Sequence, residues 1–271
     1  SSAASDVYKR QIEELYSNDY SVNRIYLTYV EEHKSRIANI LKRYNLDINL
    51  VEWQSKEYFK ILARAKYVVT DLYMPSEYIK RENQVLVSTA HGTPIKVMGK
   101  DCHTETQGHL QRTHILADYQ TFPSYYMKET LFKAFMEDGL FRGHALKSGY
   151  ARNSIFFNQN RRKIVRTELG YDNLQVIAYL PTFRGIAGSF RSTQQKEAVL
   201  LMCEQLDAKL RDDQLLLIKM HNFMKEEMDY SHFKHIRPFP GDYEVYDVLN
   251  ATNILISDYS SVIFDLSLIH I

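Results

Sequence analysis

Apolar and polar positions alternate between two regimes along this chain. Short runs rich in β-branched and aromatic residues occur at Arg24–Val30, Tyr67–Thr70, Val85–Thr89, His114–Ala117, Val176–Leu180, Leu215–Met220 and Asn253–Ile256, and they predict strands. Between them apolar residues fall at helical spacing, as in Ile37, Ile40, Leu41 and Tyr44, or Val199, Cys203, Leu206 and Leu210. Parallel strands need crossover helices, so this alternation predicts an α/β fold with parallel sheets. No repeat or low-complexity tract interrupts it. A polar, basic run, Asn158-Gln159-Asn160-Arg161-Arg162-Lys163, marks the expected joint between one domain at 12–160 and a second at 161–271. Residues 1–11 (SSAASDVYKRQ) read as a cloning or sequencing remnant. The chain stops soon after an apolar helix begins beyond Ser261, and the expectation is a truncated second domain.

Composition narrows the class. Hydrophobic residues are 45% and charged residues 25%, ordinary for a chain that buries a sizeable core. The longest apolar run, Ala198–Cys203, is six residues, against about 20 for a spanning helix. The expectation is a soluble, cytoplasmic-type protein. Cys102 and Cys203 lie far apart without metal-ligand spacing, which indicates neither a disulfide framework nor a zinc site. A net charge of +1 argues against a globally basic nucleic-acid binder. Charge is uneven, however: residues 121–170 hold nine Lys/Arg and four acids. That excess suits either an anionic polymer or lipid surface, or an ordinary solvated helix face.

Four segments place chemistry at the ends of apolar strands. In open α/β sheets ligands collect outside the carboxyl ends of the strands. Val85-Leu86-Val87 leads to His91-Gly92-Thr93-Pro94, where an imidazole is suited to take a proton near neutral pH. Gly92 permits close backbone approach, and Pro94 suits the first turn of a following helix. The alternative for His91 is a packed strand-end histidine. Tyr179-Leu180-Pro181-Thr182-Phe183-Arg184 delivers a guanidinium that either clamps phosphate or lies on the surface. Leu216-Leu217-Ile218-Lys219-Met220-His221 ends in a histidine that either donates to phosphate or serves the structure. Asn253-Ile254-Leu255-Ile256-Ser257-Asp258-Tyr259-Ser260-Ser261 runs into an apolar helix containing Asp265. Ser260 and Ser261 there either cap the helix or help its N–H groups hold phosphate. No glycine-rich dinucleotide fingerprint or Walker A sequence accompanies them.

Together with Gly149-Tyr150-Ala151-Arg152-Asn153, these motifs follow an order and spacing from about Tyr67 to Leu266 that resembles the CDP-glycerol glycerophosphotransferase family, the teichoic-acid primases and polymerases. The resemblance implies a GT-B-like pair of Rossmann-like domains, the first binding the acceptor and the second the CDP-alcohol donor. It implies His91 as the base that activates an acceptor hydroxyl. It places Arg184, His221, Ser260 and Ser261 near the donor pyrophosphate, and Asp265 nearby ordering a hydroxyl or a cation. Gly92, Thr93, Pro94, Arg152, Asn153 and Asp258 would support them. No cofactor and no metal are implied. The implied partners are CDP-glycerol or CDP-ribitol, a lipid-linked polyol phosphate acceptor and an anionic membrane surface, with no nucleic acid. The implied location is the cytoplasmic face of the membrane, held peripherally. The best sequence candidate for that contact is the stretch from Tyr125 to Arg166, where Phe132, Phe135, Phe141, Phe156 and Phe157 interleave with Lys128, Lys133, Arg142 and Arg161.

Two departures stand out. The family's Gly-Tyr-Pro-Arg-Asn-Asp pattern reads Gly149-Tyr150-Ala151-Arg152-Asn153-Ser154, and Ala90 occupies a position where tryptophan is common. Two other functions remain open from sequence: a nucleotide-sugar glycosyltransferase or epimerase of the same architecture, and a non-catalytic module for anionic polymers.

Overall fold

The computed structural model describes residues 25–89, 92–102, 107–181, 190–219, 229–258 and 260–267. The chain divides into two compact units, Ser1–Ser154 and Ile155–Ile271. Ile155 and Phe156 are buried in the core of the second unit, so the division falls ahead of the basic run.

In the first unit β1 (Tyr26–Tyr29) and β2 (Asn49–Glu52) form a parallel pair joined through α1 (Lys34–Arg43), which buries Ile37, Ile40 and Leu41. Ser55 starts α2 (Lys56–Arg64), its hydroxyl accepting from the Tyr58 N–H at 3.1 Å, a cap that satisfies one orphan donor. A second sheet follows, built from β3 (Tyr67–Thr70), β4 (Val85–Ser88), β5 (Tyr119–Phe122) and β6 (His144–Lys147). It is parallel throughout, in that spatial order. Helices α3 (Gln107–Leu116) and α4 (Tyr125–Ala134) supply crossovers. Val51, Tyr58, Leu62, Leu86 and Ala117 share one apolar cluster, which ties β2 and α2 to the larger sheet.

The strand expected at His114–Ala117 is instead the last turn of α3 and the residue beyond it, and the strand itself lies at Tyr119–Phe122. A short apolar run does not distinguish the two periods. Here buried polar contacts decide: His114 Nδ1 meets Glu137 Oε1 at 2.5 Å, and Gln120 donates to Glu137 Oε2 at 2.9 Å. Pro94 does not open a helix either. Residues 92–98 are irregular and lead into a 3-10 turn at Gly99–Asp101. Gly99 has φ +62°, and a Cβ there would lie 2.1 Å from the Ala134 carbonyl oxygen, so only glycine lets this segment dock on the end of α4.

The second unit contains α5 (Gln159–Glu168), β7 (Gln175–Leu180), α6 (Phe190–Asp207), β8 (Gln214–Ile218), β9 (Ile236–Pro238), α7 (Val245–Ala251), β10 (Ile254–Ser257) and α8 (Val262–Ser267). Its sheet is parallel in the order β10-β7-β8-β9. The central strands β7 and β8 are apolar on both faces because both are covered, whereas Ile254 and Ile256 of the edge strand β10 are exposed. Ile177, Leu216 and Ile218 pack with Val199 and Cys203 of α6. The alternate residues Val176, Leu215 and Leu217 pack with Val165 of α5 and Val248 of α7.

Within the expected basic face the arginines of α5 are turned inward, whereas Lys133, Arg142, Lys147 and Lys163 are exposed. Arg161 grips the buried Asp247 carboxylate with two bonds of 3.1 and 3.0 Å. Arg162 donates to the carbonyls of Asn250 and Thr252, and Arg166 to those of Ala251 and Leu174. Terminal carbonyls of a helix lack intrahelical partners and favour cations, so α5 caps the end of α7. Of the interleaved phenylalanines, Phe135 and Phe156 are buried, Phe132 and Phe141 pack against core clusters, and Phe157 is exposed. Among the described residues no helix is long and apolar enough to cross a membrane.

Two stability predictions follow from these contacts. Arg161→Met leaves Asp247 buried without its bidentate partner and should cost about 3 kcal/mol, read as a lower midpoint in urea unfolding. Asp118 is partly desolvated, which raises its pKa, but an ion pair with Lys80 and the Leu86 N–H at 2.7 Å outweigh this and hold the carboxyl below its ordinary value. Its contribution is therefore complete above the unfolded carboxyl pKa of about 3.9 and is lost as pH falls through the lower folded value. Asp118→Asn should reduce Tm at neutral pH and flatten the acid limb of a Tm-versus-pH series.

Candidate functional site

At the carboxyl edge of the first unit's larger sheet, Thr89 continues β4 and its N–H donates to the Thr70 carbonyl at 2.9 Å. His91 lies outside the described residues. The chain is described again at Gly92-Thr93-Pro94, and there it meets the second motif of this unit. Thr93 Oγ1 lies 3.3 Å from the Tyr150 hydroxyl, which itself donates to Met127 Sδ at 2.8 Å. The Tyr126 hydroxyl donates to the Pro94 carbonyl at 3.1 Å. The Arg152 guanidinium sits 4.0 Å from the centre of the Tyr150 ring and is 2% exposed, so the cation is held on an aromatic face in a desolvated setting. Asn153, also buried, donates its N–H to the Tyr150 carbonyl at 3.0 Å. The structure thus joins Gly92–Pro94 to Gly149–Asn153 through Tyr150. Sequence reasoning quoted Tyr150 within its motif but gave it no role, and it missed Tyr126, whose position carries no local signal.

In the second unit three motifs leave one edge of one sheet. Ser257 is in register with Leu180, and its hydroxyl donates to the Leu180 carbonyl at 2.7 Å. The Lys219 N–H donates to the Tyr179 carbonyl at 3.0 Å. The ends of β7, β8 and β10 therefore lie side by side, and the chain toward Arg184, toward His221 and through Asp258 leaves from them. Arg184 and His221 themselves lie outside the described residues. In sequence order the sheet grows from β7 to β8 and β9 on one side, then returns to place β10 on the other. That reversal between β7 and β10 is a topological switch point, where α/β sheets open a crevice at their carboxyl ends.

Ser260 and Ser261 are half-buried at the start of α8. The Ser260 N–H donates to the Asp258 carbonyl at 2.9 Å, and the Ser260 and Ser261 carbonyls accept from Ile263 and Phe264 at 3.3 and 3.0 Å. Asp265, at 1% exposure, accepts from the Tyr246 hydroxyl at 2.7 Å. Tyr246 packs with Phe156 in the core. Burial pushes the Cys203 thiol up to about 11, which leaves it protonated and unreactive. Among the described residues no group of three or more His, Cys, Asp or Glu side chains is arranged to hold a metal ion.

Comparison with known proteins gives a consistent result. The family model described as CDP-glycerol:poly(glycerophosphate) glycerophosphotransferase matches residues 2–270. The teichoic acid poly(glycerol phosphate) polymerase of Bacillus spizizenii is 29% identical over 278 residues, covering 93% of this chain and 69% of that protein. The teichoic acid glycerol-phosphate primase of Bacillus subtilis is 26% identical, covering 78% of this chain and 55% of that protein. Among solved structures, a histidine-to-asparagine variant of the wall teichoic acid polymerase TagF, soaked for 15 minutes with CDPG, superposes with a TM-score of 0.75 at 26% identity. That match covers 95% of this chain and 64% of the TagF chain. The chain has the GT-B-like α/β fold with parallel sheets of the TagF structures, and it spans between about half and about two thirds of the length of these relatives.

Proposed function

Since the chain belongs to the CDP-glycerol:poly(glycerophosphate) glycerophosphotransferase family, we propose that the full-length protein transfers glycerol phosphate from CDP-glycerol to a hydroxyl of a polymeric or lipid-linked polyol phosphate acceptor, in teichoic acid or related polymer synthesis. The observation that carries this reading is the family match across nearly the whole chain. The acceptor oxygen forms a bond to the β-phosphorus of the donor. The bond from that phosphorus to the bridging oxygen breaks, and CMP departs with the bridging oxygen and its charge. His91 takes the proton of the acceptor hydroxyl, as general-base work near neutral pH requires. Arg184 and His221 stabilise charge on the pyrophosphate, and Ser260 and Ser261 contribute hydrogen bonds. Convergence of the β7, β8 and β10 ends at a switch point supports that grouping. Asp265 acts indirectly, through the hydrogen bond it accepts from the Tyr246 hydroxyl.

A lipid-linked acceptor would place the protein peripherally at the cytoplasmic face of the membrane. With the α5 arginines turned inward, the contact surface narrows to residues such as Tyr125, which is 71% exposed with the Lys147 ammonium 5.4 Å from its ring centre. Anionic vesicles should retain the protein less as salt rises.

The transfer itself is tested by incubating the full-length protein and an acceptor with CDP-glycerol, CDP-ribitol or a UDP-sugar and measuring the released nucleotide. The expected result is CMP from a CDP-alcohol, with His91→Ala lowering the rate about 10²–10⁴-fold while the protein stays folded. UDP release instead would favour the glycosyltransferase reading. Unchanged CMP release in His91→Ala would remove the base assignment.

A further inference from the structure

We propose that Tyr150 is a positioning residue for the transfer reaction, its hydroxyl holding the turn that follows His91, with Tyr126 as its second anchor. The inference rests on His91 serving as the base, and it assigns to the two tyrosines a task that acts through that turn rather than on substrate.

The direction of the hydrogen bonds can be worked out. A phenol carries one proton, and that of Tyr150 is donated to Met127 Sδ at 2.8 Å. The Thr93 hydroxyl must then be the donor across the 3.3 Å to the Tyr150 oxygen. Tyr150 is well placed to hold it. Met127 is fully buried in the first turn of α4, whose start is fixed by the Ser124 hydroxyl accepting from the Met127 N–H at 3.2 Å. The buried Arg152 guanidinium covers the Tyr150 ring. The hydroxyl and the ring are therefore restrained by different elements.

One residue further along, Pro94 has no N–H, so its carbonyl is its only backbone hydrogen-bonding group, and Tyr126 donates to that carbonyl. Upstream, Thr89 is pinned to Thr70 of β3. His91 is the middle one of the three residues between the two anchored threonines. A reacting group must be held to within a fraction of an ångström, and misplacement by about 1 Å can cost about 10²-fold in rate. Anchors on both sides of a base meet that demand, and the downstream pair is built from side chains on α4 and just beyond β6.

Tyr150→Phe in the full-length protein separates this role from packing, because it keeps the ring and the Arg152 contact and removes only the oxygen. The expected result is a fall in kcat of about tenfold to 10²-fold, KM for CDP-glycerol within twofold of the parent, and an unchanged Tm. Amide hydrogen exchange over residues 90–98 should accelerate while the rest of the chain exchanges as before. Thr93→Val should behave like Tyr150→Phe, Thr93→Ser should restore the parental rate, and the double variant should be no slower than the worse single one. Tyr126→Phe gives a second, independent variant with the same expected pattern. Parental exchange over 90–98, or a parental kcat, in both phenylalanine variants would overturn the proposal. If the parent itself releases no CMP from either CDP-alcohol, the transferase reading fails on its own. The exchange measurement then still decides whether Tyr150 holds the turn.

Discussion

Every strand pairing described in this chain is parallel, and that constraint sorts its chemistry. Parallel strands all point the same way, so each must be followed by a return path over one face, through a helix in most cases and through the irregular segment 71–84 between β3 and β4. The loops on the amino edge are return ends, and those on the carboxyl edge are free to carry side chains that serve another purpose. In the first unit the amino edge is closed structurally: Asp118, just ahead of β5, pairs with Lys80 and accepts from the Leu86 amide. The carboxyl edge holds Thr93, Tyr126 and Tyr150 around one turn. The division of labour between the two edges follows from backbone hydrogen bonding before any side chain is considered.

Electrostatics follow the same economy in the second unit. A run of arginines looks like a surface for an anionic partner when only the sequence is counted. In the fold, three of the four basic residues of α5 face α7: Arg162 and Arg166 meet carbonyls at its carboxyl end, and Arg161 pairs with the buried Asp247 in its first turn. Burial, and then the neighbouring Arg166, press the Arg162 pKa below its ordinary value, the signature of a cation recruited for structure. Only Lys163 of this group is exposed. Local charge density is therefore a poor guide to binding wherever a helix end lies within reach.

What could be read from the sequence, and what could not, divides along contact distance. The buried strands were legible because a strand covered on both faces is an unbroken apolar run, as at Val176–Leu180 and Leu215–Ile218. Strand β6 was not, since all four of its residues are exposed and its sequence, His-Ala-Leu-Lys, has no apolar alternation. Strand β9 is three residues long and ends in proline. The motifs at the strand ends were legible as strings, because an apolar run that stops at a serine, histidine or arginine is a local event. The link between Thr93 and Tyr150 spans 57 positions and has no local trace. Asp265 shows the same limit: the sequence offered it a hydroxyl or a cation to order, and its bond with the Tyr246 hydroxyl, 19 positions away, has no local trace.

Gly99 carries the constraint of the site into the chain's evolution. The segment it belongs to continues directly from Pro94, and it can lie against α4 only while residue 99 has no side chain, given 2.1 Å to the Ala134 carbonyl oxygen. Gly139 and Gly170 also have positive φ but nothing nearby, so a lineage can exchange them for asparagine at modest conformational cost. At position 99 no single replacement leaves the helix where it is. Descendants of this sequence can vary their surface and their edge strands, yet any path that alters Gly99 must first separate this segment from α4, which carries Tyr126 and the Met127 that holds Tyr150.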